Sequence, residues 1–456
     1  MSTKMSTEKS FLERQFKLKE NGTNVKTEII AGITTFMTMA YILIVNPDTL
    51  SKAGMSYSGV FAATAISAVI ATLYMAIRAN YPFVLAPGMG LNAFFAFSVV
   101  IGMQKSWQFA LTAVLIEGLI FILLTAFNVR EAIVKAIPIN LKHAVSVGIG
   151  LFIAFIGLSN AGIVQTGKLM YQDGKLLPNA GGLIVHLGDI TTAGPLLTII
   201  GVIITGILLV KNVKGALLIG IVGTTIIGIP MGITNAPEKI MELPTAISDV
   251  AFKFVGFEEI FSFDMVVVLF TFLFVDMFDT IGTLVGVASK ADMLDKEGNL
   301  PNAKPALFAD AIGTTFGAML GTSTVTTYVE SASGVAEGGR TGLTALTSAG
   351  LFAVALFFAP LFGVIPTEAT APALILVGLF MMSPILKIDL ADYTEAIPAF
   401  LTIIMMPLAY SIADGIVFGM VSYVLINIFS GKAKKVSPVM LILSILFVLK
   451  FVVDKL

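Results

Sequence analysis

The feature that most constrains this chain is its series of apolar runs, each about twenty residues long, the length a helix needs to cross a bilayer. Inside lipid every backbone polar group must find a partner within the protein, so such runs are helices rather than open strands. Composition agrees. Of the 456 residues, 56% are hydrophobic and 12% charged, against roughly 25% charged in soluble domains. A polytopic, all-α membrane protein follows. The formal net charge of −1 leaves no basic footprint for nucleic acid. The absence of cysteine excludes disulfides and thiol chemistry. His143 and His186 are the only histidines, too few for a histidine-rich metal centre, and no cofactor or metal is expected.

Apolar spans lie near 28–47, 59–78, 83–101, 107–127, 142–161, 193–210, 214–232, 264–288, 305–320, 341–360, 369–386, 397–411 and 413–430. The polar, Gly-rich piece 322–337 is expected to cross as well, which gives about fourteen segments. Lys and Arg concentrate in cytoplasmic loops, and this count places both termini there. The polar N-terminal segment, with Lys4, Lys9, Arg14, Lys17 and Lys19, carries no cleavable-signal pattern. Inner loops then hold Arg78; Arg130, Lys135 and Lys142; Lys211 and Lys214; Lys290, Lys296 and Lys304; Arg340; Lys387; and Lys432, Lys434 and Lys435. Dropping 322–337 would move the last three outside. The apolar stretch 437–453 carries Lys450 and reads as an interfacial or re-entrant helix.

The halves resemble each other. Ile137-Pro138 and Gly150-Leu151-Phe152 recur as Ile365-Pro366 and Gly378-Leu379-Phe380, an offset of 228. Ser51-Lys52-Ala53-x-Met55 recurs as Ser289-Lys290-Ala291-x-Met293, an offset of 238 that lays Asn92 over Glu330. Seven segments is an odd number, so a 7+7 repeat is inverted, the arrangement of secondary transporters that bind substrate at interrupted midplane helices.

Interrupted segments occupy the third and tenth places. The first reads Ala86-Pro87-Gly88-Met89-Gly90-Leu91-Asn92-Ala93; the second runs from Thr322 through Thr327-Tyr328-Val329-Glu330-Ser331 to Gly334. Pro removes a donor and Gly, Thr and Val disfavour helix, so short extended strands are expected there. Non-helical backbone at this depth survives only where protein buries it or it lines a cavity. The intramembrane carboxylates are Glu117, Asp276, Asp279, Asp310 and Glu330. Each costs about 2.5 kcal/mol or more at the bilayer centre and is a functional candidate. Asp276 and Asp279 share a helix face. Glu117 reads as a structural acceptor, while Asp279 and Glu330 carry the stronger functional signal. No basic residue lies in these spans near them. One carboxylate of a close pair then holds a proton, which suits proton coupling and disfavours an anionic substrate. A neutral, planar heterocycle with several N–H donors is the complementary ligand.

At these residues the chain resembles the nucleobase:cation symporter family of xanthine, uracil and purine permeases, in particular its adenine–guanine–hypoxanthine branch. The resemblance rests on AGITTFMTMAYILIVNP (31–47), APGMGLNAFFAF (86–97), VDMFDTIGTLVG (275–286) and GTSTVTTYVESASGVAEGGRTGLTA (321–345), in the family's order. It implies that Asp279, followed by x-x-Gly282-x-Leu284, binds substrate. Gly90, Asn92, Thr283, Tyr328, Glu330 and Ser331 would complete the site. Asp279, Asp310 or Glu330 would carry the proton, with Asp276 and Glu117 secondary. Thr283 stands where uracil permeases carry a histidine, and Ser331 where the family has asparagine. The resemblance also implies a core domain (26–128 and 236–362) moving against a gate domain (129–235 and 363–431) that forms a homodimer. Residues 1–25 precede them and a tail, 432–456, follows. The expected activity is import of purine bases by proton symport across a bacterial plasma membrane. Another nucleobase such as uracil or xanthine is the alternative substrate, an anion a more distant one. An enzyme is disfavoured, since no nucleophile–base pair or metal cluster is visible.

Overall fold

The computed structural model describes residues 11–127, 138–166, 171–172, 175–176, 185–237, 239–244, 247–295, 300–301 and 303–453. Lys4, Lys9, Arg130, Lys135, Ile137 and Lys296, named above, lie outside the described residues. In chain order the elements are α1 (Phe11–Phe16), α2 (Val25–Met39), α3 (Ile42–Ser51), α4 (Tyr57–Tyr74), β1 (Leu85–Pro87), α5 (Met89–Ala93) and α6 (Trp107–Ala126). Next come α7 (Ile139–Asn160), β2 (Val164–Thr166), β3 (Tyr171–Gln172), β4 (Lys175–Leu176), β5 (Val185–Leu187), α8 (Ala193–Val210), α9 (Ala216–Gly228) and α10 (Phe257–Ile260). The second half holds α11 (Phe263–Lys290), α12 (Ala303–Leu320), β6 (Val325–Thr327), α13 (Ser331–Ala336), α14 (Gly342–Ala355) and α15 (Ala359–Gly363). The chain ends with α16 (Thr367–Met381), α17 (Tyr393–Leu408), α18 (Ile412–Phe429) and α19 (Pro438–Val453).

Helix starts follow local chemistry. Asn24, Ser56, Ser106, Asp392 and Ser411 each precede an apolar run, and each side chain accepts a first-turn N–H. Among the described residues nine helical spans are long and apolar enough to cross a membrane, and three shorter apolar helices accompany them. The span expected over 28–47 is not one helix. It breaks at Ala40–Tyr41, where the turn tightens through Leu43 N–H to Ala40 O and Ile44 N–H to Tyr41 O.

The chain folds into two compact units. The first comprises Met1–Pro138, Met241–Ala359 and Lys434–Leu456; the second comprises Ile139–Ile240 and Pro360–Ala433. In the first, β1 and β6 pair antiparallel with Leu85 facing Thr327, Ala86 facing Thr326 and Pro87 facing Val325. Helices α4 and α12 pack against this ribbon, α6 packs on α12, and α14 packs on α2 and α4. In the second unit, α7 packs on α16 and α17, and α8 on α9 and α16. The stretch 163–192 contains two short antiparallel ladders, β2 with β5 and β3 with β4.

The offset of 228 has a physical counterpart in the second unit. A Cβ built on Gly150 would stand 2.5 Å from Gly378 O, and one built on Gly378 would stand 2.4 Å from Gly150 O. The repeated glycines therefore meet each other where α7 and α16 cross, backbone against backbone. The offset of 238 does not hold at the broken segments. The ladder centres on Ala86 opposite Thr326, an offset of 240 (326 − 86). That offset lays Gly90, not Asn92, over Glu330; unequal loops before the two strands shift the alignment.

Candidate functional site

The site gathers around the β1–β6 ribbon, whose strands each run into a short helix. β1 leads through Gly88 into α5, and a nine-residue π-helix (Phe94–Gly102) continues it. β6 leads through Tyr328 and Val329 to Glu330, the residue that caps the start of α13. Residues 328–331 are tied back to β1. Tyr328 N–H donates to Val84 O (3.0 Å), Tyr328 hydroxyl donates to Pro87 O, and Ser331 hydroxyl accepts from Val84 N–H (3.0 Å). Gly88 N–H donates to Thr324 O (2.9 Å).

The five expected carboxylates divide by exposure. Asp276, Asp310 and Glu117 are completely enclosed, whereas Asp279 and Glu330 are only partly buried. Thr324 hydroxyl donates to Glu117 Oε2 (2.6 Å), in keeping with a structural acceptor. Asp276 and Asp310 converge on one hydroxyl. Thr280 Oγ1 lies 3.1 Å from Asp276 Oδ1, 2.7 Å from Asp310 Oδ1 and 2.8 Å from Thr326 Oγ1. This contact links α11, α12 and β6. Although Asp276 and Asp279 are only three residues apart, Asp276 turns inward to this knot and Asp279 does not share its full burial. Asp279 stands within electrostatic range of Asp310 and Glu330.

Glu330 has a partner that sequence reading did not single out. Tyr41, from the break between α2 and α3, donates its hydroxyl to Glu330 Oε1 at 2.8 Å. Tyr41 is 1% exposed, and it and Tyr328 both lie within electrostatic range of Asp279 and Glu330. Of the remaining expected residues, Gly90 and Asn92 lie buried in α5, and Ser323 hydroxyl donates to Asn92 Oδ1. Thr283 is half-buried, one turn beyond Asp279 on α11. Thr324 was also not singled out; its place in the Thr-rich run was the hint.

One further enclosed acid was missed. Glu28, fully buried on α2, accepts from Arg340 N–H, from the N–H and hydroxyl of Thr341, and from the N–H and hydroxyl of Thr344. It sits on the opening turn of α14, where a negative charge is favoured, and reads as structural.

No lysine, arginine or histidine occurs within 27–51, 79–104, 265–289 or 305–339, the stretches that supply these groups. Among the described residues no cluster of His, Cys, Asp and Glu suited to a metal ion is found. The site therefore offers acceptor-rich acids beside hydroxyls, a match for a neutral ligand rich in N–H donors.

A sequence model of the permease family that takes in xanthine and uracil permeases matches residues 26–418. The chain belongs to this nucleobase permease family. It is 43% identical to the guanine/hypoxanthine permease PbuO of Bacillus subtilis over 95% of this chain and 98% of that protein. It is 41% identical to the adenine permease AdeP of Escherichia coli, over 99% of this chain and 98% of that one. Among solved structures, the transmembrane domain of the cyanobacterial bicarbonate transporter BicA matches with a TM-score of 0.62, 17% identity, and coverage of 87% of this chain and 97% of that domain. That last likeness shows the fold alone. The chain is thus a mostly helical, multi-pass membrane protein of a transporter family.

Proposed function

We propose that this protein imports purine bases by proton symport, with Asp279 and Glu330 accepting hydrogen bonds from purine N–H groups. The observation that carries the reading is the division of the acids: only Asp279 and Glu330, of five at this depth, are partly accessible. Tyr41 occupies one oxygen of Glu330 and so fixes the carboxylate's orientation for a ligand. Relatives whose names specify guanine, hypoxanthine or adenine support the substrate class, and their near-equal identities to this chain leave guanine, hypoxanthine and adenine all as substrates to test. Gly90, Asn92, Thr283, Tyr328 and Ser331 frame the ring. Asp310, joined through Thr280 to Asp276 and adjacent to Asp279, is the coupling-proton site we favour among Asp279, Asp310 and Glu330.

The nine long apolar spans, three shorter helices, α12 and the β6–α13 segment support fourteen crossings in a 7+7 inverted repeat. The first unit is read as the substrate-carrying core and the second as the gate, which forms the homodimer. The protein is placed in the plasma membrane with both termini cytoplasmic.

The bicarbonate-transporter fold raises an anion as a second reading. Asp279 and Glu330 disfavour it, since an anion between them meets like charge. Uptake of radiolabelled guanine, hypoxanthine and adenine by cells expressing Asp279→Asn decides. We expect uptake to fall to background at normal membrane abundance. Wild-type rates in that variant would overturn the assignment.

A further inference from the structure

The two strands of the site each have an outer edge that faces away from the partner strand, and inside a membrane those backbone groups need acceptors and donors from protein. Two threonines supply them in the same way. Thr72, on α4, donates its hydroxyl to Leu85 O (3.2 Å) and accepts from Leu85 N–H (3.1 Å). Thr314, on α12, donates to Val325 O (3.0 Å) and accepts from Val325 N–H (3.2 Å). Both side chains are fully buried. A hydroxyl is the smallest side-chain group that can donate and accept at once, so each threonine closes one residue's edge completely. The other outer residue of β1, Pro87, has no N–H, and its carbonyl is taken by Tyr328 hydroxyl. Thr72 lies on the helix before β1 and Thr314 on the helix before β6, so the device is built twice, on the same strand position.

Each clasp fixes how far its strand slides along the flanking helix. Val325 is followed by Thr326, which touches Thr280 beside Asp279, and five residues later by Glu330. Leu85 is followed within seven residues by Gly90 and Asn92. We propose that Thr72 and Thr314 are positioning residues of the substrate site, setting the depth of its two strands and thereby the placement of Glu330, Gly90 and Asn92.

This inference rests on the purine-transport reading, and the test separates the two. Thr72→Val and Thr314→Val keep side-chain volume and remove both hydrogen bonds; the corresponding serine variants keep them. Thr205→Val, which removes a buried hydroxyl that donates to Gly201 O of its own helix in the other unit, is the control. We expect each valine variant to raise the KM for purine uptake about tenfold, with Vmax per folded molecule within twofold. Serine variants and Thr205→Val should keep the wild-type KM. As a substrate-free readout, Val329→Cys, beside Glu330 and 49% exposed in a chain without other cysteines, is labelled with a maleimide. Thr314→Val is expected to change the labelling rate at this position severalfold and Thr314→Ser to preserve it. Valine variants that lose only thermal stability, with KM and labelling rate unchanged, would overturn the proposal. A wild-type protein that takes up no purine would overturn the transport reading alone, because the labelling comparison still reports the clasp.

Discussion

At the scale of single residues, the site is a set of acids whose roles are separated by what their oxygens touch. Glu330 Oε1 takes the Tyr41 hydroxyl, while Asp276 and Asp310 take the Thr280 hydroxyl. A hydrogen bond to a charged group contributes about 1.5–3 kcal/mol, so Tyr41→Phe should weaken purine uptake roughly tenfold in KM with the protein normally folded, as kinetics on quantified membranes would show. Asp276→Asn gives the contrast to Asp279→Asn. Because Asp276 faces the Thr280 knot, its asparagine variant should still bind purine when titrated calorimetrically, and loss of binding there would place Asp276 in the substrate site. Sequence reading favoured Asp279 over Asp276 from the polar, small residues that follow it and from a family pattern. Their different burial arises where a second helix, α12, brings Asp310 to the Thr280 hydroxyl that Asp276 also contacts.

At the scale of elements, the broken segments were legible because glycine, proline and β-branched residues are poor helix formers wherever they stand. Their register was not. Strand register depends on which groups flank each edge, and the offset of 238 inferred from Ser51–Met55 fails by two residues at the ribbon. Glu28 was likewise overlooked, since only the fold brings Thr341 and Thr344 to it. Removing that acceptor with Glu28→Ala strands at least two buried N–H groups, each costing about 1–3 kcal/mol. The melting temperature in detergent should drop by several degrees while the KM of the surviving protein stays unchanged.

At the scale of the whole molecule, proton coupling makes a directional prediction. With acid outside, purine uptake into vesicles should accelerate, a protonophore should collapse it, and replacing sodium with potassium should change nothing. Sodium-dependent uptake indifferent to the protonophore would reject the coupling. The repeat supplies a second prediction. Gly150→Val forces a side chain into Gly378 O, overpacking the α7–α16 crossing at a cost of about 1–3 kcal/mol, which should appear as reduced yield and melting temperature.

The sequence by itself determined that this chain lives in a membrane, that its third and tenth segments are interrupted, and that Asp279 and Glu330 are acids at depth, because lipid penalises every unpaired polar group and length and residue type alone reveal such exceptions. Tertiary structure decided which acid is enclosed and which is reachable, that Tyr41 belongs to Glu330, and that Thr72 and Thr314 clasp the strands. Those assignments join residues tens to hundreds of positions apart. They are set by helix packing, which no local preference encodes. Asp279 and Glu330 could be named from the chain; what holds them in place could not.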